Sequence, residues 1–146
     1  MTPPLHAYVA LEQDEDGYPP FDTEELEVEM RHDGACTVLA VPVFTSGIAV
    51  DDIVSVTQVE DDDRWWVTGV LLASGRGTAR VAPLGGTTAQ DVVAVFAGLG
   101  CPAVATEHGL VTADLPADVD SAALSELLEA GSASGRWQFD LGVEPG

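Results

Sequence analysis

The sequence predicts an α+β protein in which an N-terminal β-rich unit, a small SH3-like barrel, packs on a C-terminal ferredoxin-like βαββαβ unit. Between residues 26 and 72, short segments rich in apolar and β-branched residues follow one another with turn residues between them, which is typical of strands. After residue 78, helical spacing of apolar residues occurs twice between strand-like segments. We therefore expect an acidic β-rich unit over residues 1–75 and an α+β unit over residues 76–146, together forming one compact body.

The clearest strand signal of the first unit lies in residues 26–30. Leu26, Val28 and Met30 alternate with Glu27 and Glu29. A period of two puts apolar side chains on one face of a strand and the carboxylates on the other. This segment therefore predicts a half-buried strand with an acidic outer face.

Turn signals separate three more strands in the first unit. Asp33-Gly34 is typical of a hairpin turn and leads into a predicted strand over residues 37–43, in which Pro42 favours an edge or a bulge. β-branched and aromatic residues predict further strands over residues 53–59 and 65–72. Short loops without a helical pattern favour a small curled sheet or an SH3-like barrel.

Helices and strands alternate in the predicted second unit. Thr87 or Thr88 is expected to cap the first helix, and Gln90, three residues after Thr87, completes a capping box. Asp118 or Asp120 is expected to cap the second helix. Strands are predicted over residues 78–84, 101–106, 110–115 and 137–141, which gives the ferredoxin-like order.

Negative charge dominates the composition. The chain has 25 Asp and Glu against 5 Lys and Arg, all of them arginine, for a net charge of -20. This charge argues against binding to a nucleic-acid backbone or to an anionic membrane. Residues 1–75 hold 16 of the acids and 2 of the arginines, a net charge of -14. The acidic excess therefore belongs to the first unit.

Several features indicate a cytoplasmic protein. The N-terminus lacks the basic and apolar regions of a signal peptide, and no apolar run is long enough to span a membrane. Cys36 and Cys101 are far apart in the sequence, and in a cytoplasmic chain we expect both to be buried thiols without a disulfide.

Three segments of the sequence are similar to a known bacterial family. They are residues 41–54, which contain VPVF and GIAVDDIV, residues 74–81 (SGRGTARV) and residues 135–140 (GRWQFD). On these segments the chain resembles the family catalogued as domain of unknown function 4265 over roughly residues 25–142. The resemblance implies a bacterial, mainly actinobacterial, setting and carries over no catalytic residue.

Residues 74–80 form a candidate anion site. If this stretch is extended, Ser74, Arg76, Thr78 and Arg80 share one face. Two neighbouring guanidinium groups suit a phosphate or a carboxylate. The structural alternative is that each arginine pairs with a carboxylate of the chain itself and fixes the junction of the two units.

The sequence contains no grouping that is typical of catalysis or metal binding. The acidic runs 14–16 and 61–63 lack the spacing of a calcium loop, and His6, His32 and His108 are dispersed. A Gly-x-Ser-x-Gly elbow is also missing from the sequence. We therefore predict no catalytic residue, no metal and no cofactor.

The concentrated acidic charge carries the functional prediction. Carboxylates around an outward tryptophan suit docking on a basic protein. We expect a non-enzymatic protein that neutralises such a partner, for example an immunity protein for a bacterial toxin. The alternatives are a regulatory domain that binds a small anion in the cleft between the units, and a small hydrolase or transferase. A purely solubilising role of the charge is the structural alternative. The predicted partner contacts are Glu24, Glu25, Glu27, Glu29, Asp61, Asp62, Asp63, Trp65 and Trp66.

Overall fold

The first unit of the chain is a closed β-barrel. The structure, a computed structural model, describes residues 5–59 and 62–146. The first unit ends at Ser74 and the second begins at Gly75. Within the described residues, the barrel has five strands that are hydrogen-bonded in chain order. They are β1 (Leu5–Ala10), β2 (Thr23–Met30), β3 (Cys36–Val38), β4 (Ile53–Gln58) and β5 (Trp65–Leu72).

Strand β1 closes the barrel. It pairs with β2 in antiparallel orientation along its whole length. On its other side it pairs with β5 in parallel orientation, with Ala7 opposite Trp65 and Tyr8 opposite Trp66. This second pairing joins the first and last strands, so the sheet curves back on itself and neither strand is left as a full open edge.

Inward-pointing side chains fill the barrel, and strand β2 shows the predicted alternation. Leu26 and Val28 are buried, whereas Glu25, Glu27 and Glu29 are exposed. The prediction of an apolar inner face and an acidic outer face is therefore confirmed. The buried core of the barrel consists of Ala7, Leu26, Val28, Cys36, Val38, Ile48 and Val54.

Two barrel strands differ from the sequence prediction. No strand is predicted over residues 5–10, because the alternation there is short and its central buried residue, Ala7, is only weakly apolar. The strand predicted over residues 37–43 is reduced to β3. Pro42 has no N–H to donate, and the amides of residues 43–45 donate to the carboxylate of Glu24 instead of to a strand.

The second unit, residues 75–146, consists of a four-stranded sheet with two helices packed on it. Its elements are β6 (Gly77–Pro83), α1 (Ala89–Gly98), β7 (Ala103–Ala105), β8 (Val111–Leu115), α2 (Ser121–Ala133) and β9 (Trp137–Val143). The strand order is β7-β8-β6-β9, and neighbouring strands are antiparallel. Val81, Phe96, Leu124, Leu128 and Trp137 are among its buried core residues. In the described part of the chain, no helix is long and apolar enough to cross a membrane.

Both helix caps are side chains of the expected kind. Asp120 caps α2 by accepting a hydrogen bond from the amide of Ala123. It is one of the two caps predicted for this helix. The cap of α1 is Thr88, and its capping-box partner is Asp91 rather than the predicted Gln90. The change of capping-box partner follows from where the helix begins. The helix begins one residue later than a Thr87 cap would place it, and the third position after the cap then falls on Asp91.

The predicted fold class is wrong as stated. In the described residues the structure is a mixed α+β fold that contains a closed five-stranded barrel, a second sheet and two helices. This description replaces the predicted SH3-like unit on a ferredoxin-like βαββαβ unit. Apolar periodicity indicates which segments are strands, but it specifies neither the pairing that closes a barrel nor a strand as short as β7. That strand has three residues where six were predicted.

The prediction for the two cysteines is confirmed. Cys36 and Cys101 are both buried and neither forms a disulfide. Burial raises the pKa of both thiols. Because the thiolate is the reactive form of cysteine, a raised pKa makes both side chains less nucleophilic.

Candidate functional site

The outer surface of strands β1, β2 and β5 brings acidic and aromatic side chains together. Glu25, Glu27 and Glu29 point outward from β2. In the register of β1 and β2, Tyr8 lies opposite Glu25 and His6 lies opposite Glu27. The residues of this surface, called the acidic–aromatic face below, are His6, Tyr8, Glu25, Glu27, Glu29, Asp62 and Trp66.

The aromatic part of this face is a pair of rings from the two strands that close the barrel. Trp65 packs against the barrel core. The next residue, Trp66, points to the opposite side of β5 and contacts Tyr8 of β1 with ring centroids 5.8 Å apart and planes inclined by 46°. The two tryptophans therefore point to opposite faces of β5, and both are partly buried.

Asp62 fixes the position of Trp66. One carboxylate oxygen, Oδ2, accepts a hydrogen bond of 2.9 Å from Nε1 of Trp66. The other, Oδ1, accepts a hydrogen bond of 2.9 Å from the backbone N–H of Arg64. The guanidinium carbon of Arg64 lies 4.8 Å from the centroid of the Tyr8 ring. A carboxylate, two rings and a cation are thus connected on one surface.

These hydrogen bonds favour the ionised form of the Asp62 carboxyl. Hydrogen bonds from Trp66 and from the amide of Arg64 lower the pKa of Asp62 from its ordinary value of 3.8. A carboxyl with a lowered folded-state pKa stabilises the fold above its unfolded pKa, and this contribution is lost as the pH falls through the folded pKa. We expect an NMR titration of the Asp62 carboxyl carbon to have its midpoint below 3.8, and the Trp66 indole N–H to shift in the same range.

The control for this titration is Trp66→Phe, which removes the indole donor and keeps an aromatic ring. In that variant the pKa of Asp62 should rise toward its ordinary value. An Asp62 midpoint that is the same in wild type and in Trp66→Phe would contradict the hydrogen bond from Trp66 to Asp62.

Glu24 has different surroundings from the three outward glutamates. It shares the inward side of β2 with Leu26 and Val28, because residues two apart on a strand point the same way. Its Oε2 accepts from the amide of Val43 at 2.5 Å. Its Oε1 accepts from the amides of Phe44 and Thr45 and from the Thr45 hydroxyl, at 3.0, 2.8 and 2.7 Å. This carboxylate therefore anchors the chain segment after Pro42.

The other predicted contacts lie near the start of β5. Asp63 is exposed, and its carbonyl accepts a hydrogen bond of 3.1 Å from the side-chain amide of Gln58. Asp61 lies outside the described residues. Among the predicted partner contacts, the structure places Glu25, Glu27, Glu29, Asp62 and Trp66 on the acidic–aromatic face.

A buried carboxylate holds Ser74, the first residue of the predicted anion site. Asp52 is 3% exposed and accepts hydrogen bonds of 2.8 Å from the amide of Ser74 and 2.9 Å from the amide of Ala49. The hydroxyl of Ser74 donates to the carbonyl of Val50 at 2.8 Å. Nothing in the local sequence pattern around Asp52 indicates that its side chain is buried.

The two arginines of the predicted anion site each bind a carboxylate on a neighbouring strand. Arg76 makes a two-pronged contact with Asp114 of β8 at 2.9 and 2.7 Å. Arg80 does the same with Asp140 of β9 at 2.9 and 2.9 Å. Thr78, between them, is 2% exposed. An external anion would have to compete with these internal carboxylates for both guanidinium groups.

Sequence reasoning missed a second aromatic cluster on the barrel unit. The ring of Phe44 lies 6.1 Å from that of Tyr18 and 5.7 Å from that of Phe21, centroid to centroid. Tyr18 is 54% exposed and Phe21 is 42% exposed, so large apolar surfaces meet solvent here. Within residues 5–59 and 62–146, no three His, Cys, Asp or Glu side chains are grouped to hold a metal ion.

The comparison with protein families settles which family this fold represents. Residues 24–139 match the family model described as "Domain of unknown function (DUF4265)". The chain belongs to the DUF4265 family. The match confirms the resemblance noted on the sequence, and it contains both the acidic strand β2 and the residues 74–80. No curated protein matches the chain.

A solved structure shares the fold of this DUF4265 protein. It is described as "Novel crystal structure of a hypothetical protein from Neisseria gonorrhoeae", and it is similar over 97% of each chain with a TM-score of 0.81 and 15% sequence identity. At that identity the likeness shows the fold alone. The DUF4265 match begins at residue 24, so it includes Glu25 and Trp66 of the acidic–aromatic face and leaves Tyr8 outside.

Proposed function

We propose that the protein is a non-enzymatic binding protein that docks through its acidic–aromatic face on a basic protein partner. The observation that carries this proposal is the row of Glu25, Glu27 and Glu29 on the outer side of β2, next to the ring pair of Tyr8 and Trp66. The face belongs to the unit whose sequence has a net charge of -14. Acidic groups beside an aromatic anchor suit a cationic surface.

The glutamate row places three like charges close together, with Nδ1 of His6 3.1 Å from Oε1 of Glu25. Successive outward residues of a strand lie roughly 6.8 Å apart, and Glu25 and Glu29 are therefore roughly 13 Å apart. Both distances are close to the screening length of about 10 Å at 0.1 M salt, so neighbouring carboxylates repel each other. A partner that brings Lys or Arg to this row removes that repulsion, and its binding weakens as salt is added.

The ring pair of Tyr8 and Trp66 adds contact area, which charge alone does not supply. Interfaces owe most of their binding energy to a few buried aromatic or arginine anchors surrounded by polar groups. Trp66 is half-buried and fixed by Asp62, so little side-chain freedom is lost when a partner covers it. Charge then governs the rate and selectivity of association, while the rings supply contact area.

Within this class of partner, we propose a bacterial toxin domain with a basic active surface, which the protein would neutralise as its immunity protein. Covering such a surface inhibits it by exclusion and requires no catalytic group on the binding protein. The charge of the acidic–aromatic face supports this assignment through complementarity. Inhibition of the purified partner is its specific readout.

The experiment compares two variants with equal charge change. In the face variant, Glu25, Glu27 and Glu29 become Gln. In the control variant, the exposed Glu107, Glu126 and Glu129 of the second unit become Gln. A basic protein retained from an extract of the source cells at about 20 mM salt is identified and purified, and its Kd is measured for each form.

The proposal predicts that the face variant binds the partner about thirtyfold more weakly, while the control variant stays within about threefold of wild type. The face variant should lose inhibition of the partner in parallel. Equal weakening by both variants would show that only net charge matters and would contradict the proposal. Failure to retain any basic protein at low salt would contradict it as well.

A further inference from the structure

A cation of the chain itself occupies the aromatic part of the acidic–aromatic face. Arg64 precedes β5, and its guanidinium carbon lies 4.8 Å from the centroid of the Tyr8 ring. A planar guanidinium over an aromatic face is attracted by the electron density of the ring. The most acidic unit of the chain thus holds one of its two arginines against the aromatic ring that the proposed partner would cover.

The surroundings of Tyr8 provide each contact that a guanidinium group needs. The Trp66 ring lies beside Tyr8 with its centroid 5.8 Å away, and its position is fixed by Asp62. Glu25 lies opposite Tyr8 in the β1–β2 register, its Oε1 is 3.1 Å from Nδ1 of His6, and its side chain is 50% exposed. An aromatic face next to a half-exposed carboxylate binds a flat cation through stacking and charge together.

The backbone anchoring of Arg64 allows its side chain to move off the Tyr8 ring. Its backbone N–H is held by Asp62, so the main chain has a fixed anchor, whereas the residue is exposed to solvent. A cation–π contact at an exposed site is weak enough to be exchanged for an equivalent one. A second arginine from outside could therefore replace Arg64 over Tyr8 without a change in the barrel.

We infer that Tyr8, Trp66 and Glu25 form a guanidinium site for an arginine side chain of the basic partner, and that Arg64 is an internal occupant which the partner displaces. This inference rests on the proposed function and names the group that the acidic–aromatic face recognises. It makes the site selective for arginine over lysine, because only the guanidinium is flat enough to stack on the ring. Arg64 then lowers the apparent affinity of the site for the partner's arginine, because an occupied site must be vacated before it binds.

The test distinguishes the removal of Arg64 from the Tyr8 ring from the loss of one positive charge. Arg64→Gln and Arg31→Gln each remove one positive charge from the barrel unit. Arg31 lies in the exposed β2–β3 turn, 3.4 Å from Asp33, and is not stacked on Tyr8. An oligo-arginine peptide and an oligo-lysine peptide of the same length are titrated into wild type and both variants, with calorimetry as the readout and circular dichroism as the check of folding.

The inference predicts that Arg64→Gln binds oligo-arginine about fivefold more tightly than Arg31→Gln does, and that oligo-lysine shows no such difference. Adding Tyr8→Phe to Arg64→Gln should keep the gain because the ring remains, and adding Tyr8→Leu should abolish it. Equal affinities of Arg64→Gln and Arg31→Gln for oligo-arginine would overturn the inference. So would a gain that is the same for both peptides.

The face variant with Gln at positions 25, 27 and 29 distinguishes this failure from failure of the proposed function. If that variant loses the partner protein while Arg64→Gln matches Arg31→Gln, the acidic–aromatic face binds a basic partner but contains no guanidinium site. If that variant keeps the partner protein, the proposed function fails, whatever the peptides show.

Discussion

Replacing Gly131 with alanine is expected to lower the free energy of unfolding by about 3 kcal/mol. Gly131 lies in α2 and is buried, and a Cβ at this position would overlap the ring atoms Cε2 and Cζ2 of Trp137. The Trp137 indole is enclosed and cannot shift away from the added Cβ. It is 2% exposed, and its Nε1 donates to the carbonyl of Leu128 at 3.1 Å.

Gly98 provides the matched control for this substitution. It is also a helical glycine, the last residue of α1, and a Cβ there would meet open space. Gly98→Ala should therefore stabilise the protein by about 0.5 kcal/mol through helix propensity. Urea unfolding followed by circular dichroism measures both changes. Equal effects of the two alanines would contradict the close packing of Trp137 on α2.

Replacing Glu24 with glutamine is expected to lower the free energy of unfolding by about 2–4 kcal/mol. Both carboxylate oxygens of Glu24 accept hydrogen bonds from the chain segment after Pro42. Glutamine retains a single acceptor oxygen, and its amide N–H₂ group would face a backbone donor. At least one backbone amide of residues 43–45 would then lose its hydrogen-bond acceptor at a half-buried position.

The control is Glu27→Gln, which makes the same chemical change on the outward side of β2. Glu27 is exposed, so this variant should unfold within about 0.5 kcal/mol of wild type. Hydrogen exchange should be faster at the amides of residues 43–45 in Glu24→Gln and unchanged in Glu27→Gln. Equal stability of the two variants would show that Glu24 does not anchor this segment.

These two glutamates also show how much of the candidate site could be predicted from the sequence. Alternation along β2 predicted that Glu27 and Glu29 face outward, and the structure confirms this and places Glu25 on the same side. The same alternation puts Glu24 on the inner side with Leu26, a signal that grouping the residues by charge overlooked. The acidic residues are therefore of two kinds, those that satisfy backbone donors and those that face solvent.

The aromatic part of the face could not be derived from local patterns. Tyr8 meets Trp66 because β1 and β5 pair in parallel at two positions, and no periodicity within either segment specifies that pairing. The fold class failed for a related reason. The sequence predicted a small barrel but not β1, and the pairing of β1 with β5 that closes the barrel joins strands that are distant in sequence.

Protection of carboxylates in the complex is the most direct test of the account. Carboxyl groups are labelled with a carbodiimide and an amine, in the protein alone and bound to its basic partner, and each site is quantified by mass spectrometry. We expect Glu25, Glu27 and Glu29 to be protected in the complex, while Glu107, Glu126 and Glu129 label as in the protein alone. Protection of the second-unit glutamates with an unprotected row on β2 would contradict the claim that the acidic–aromatic face is the binding surface.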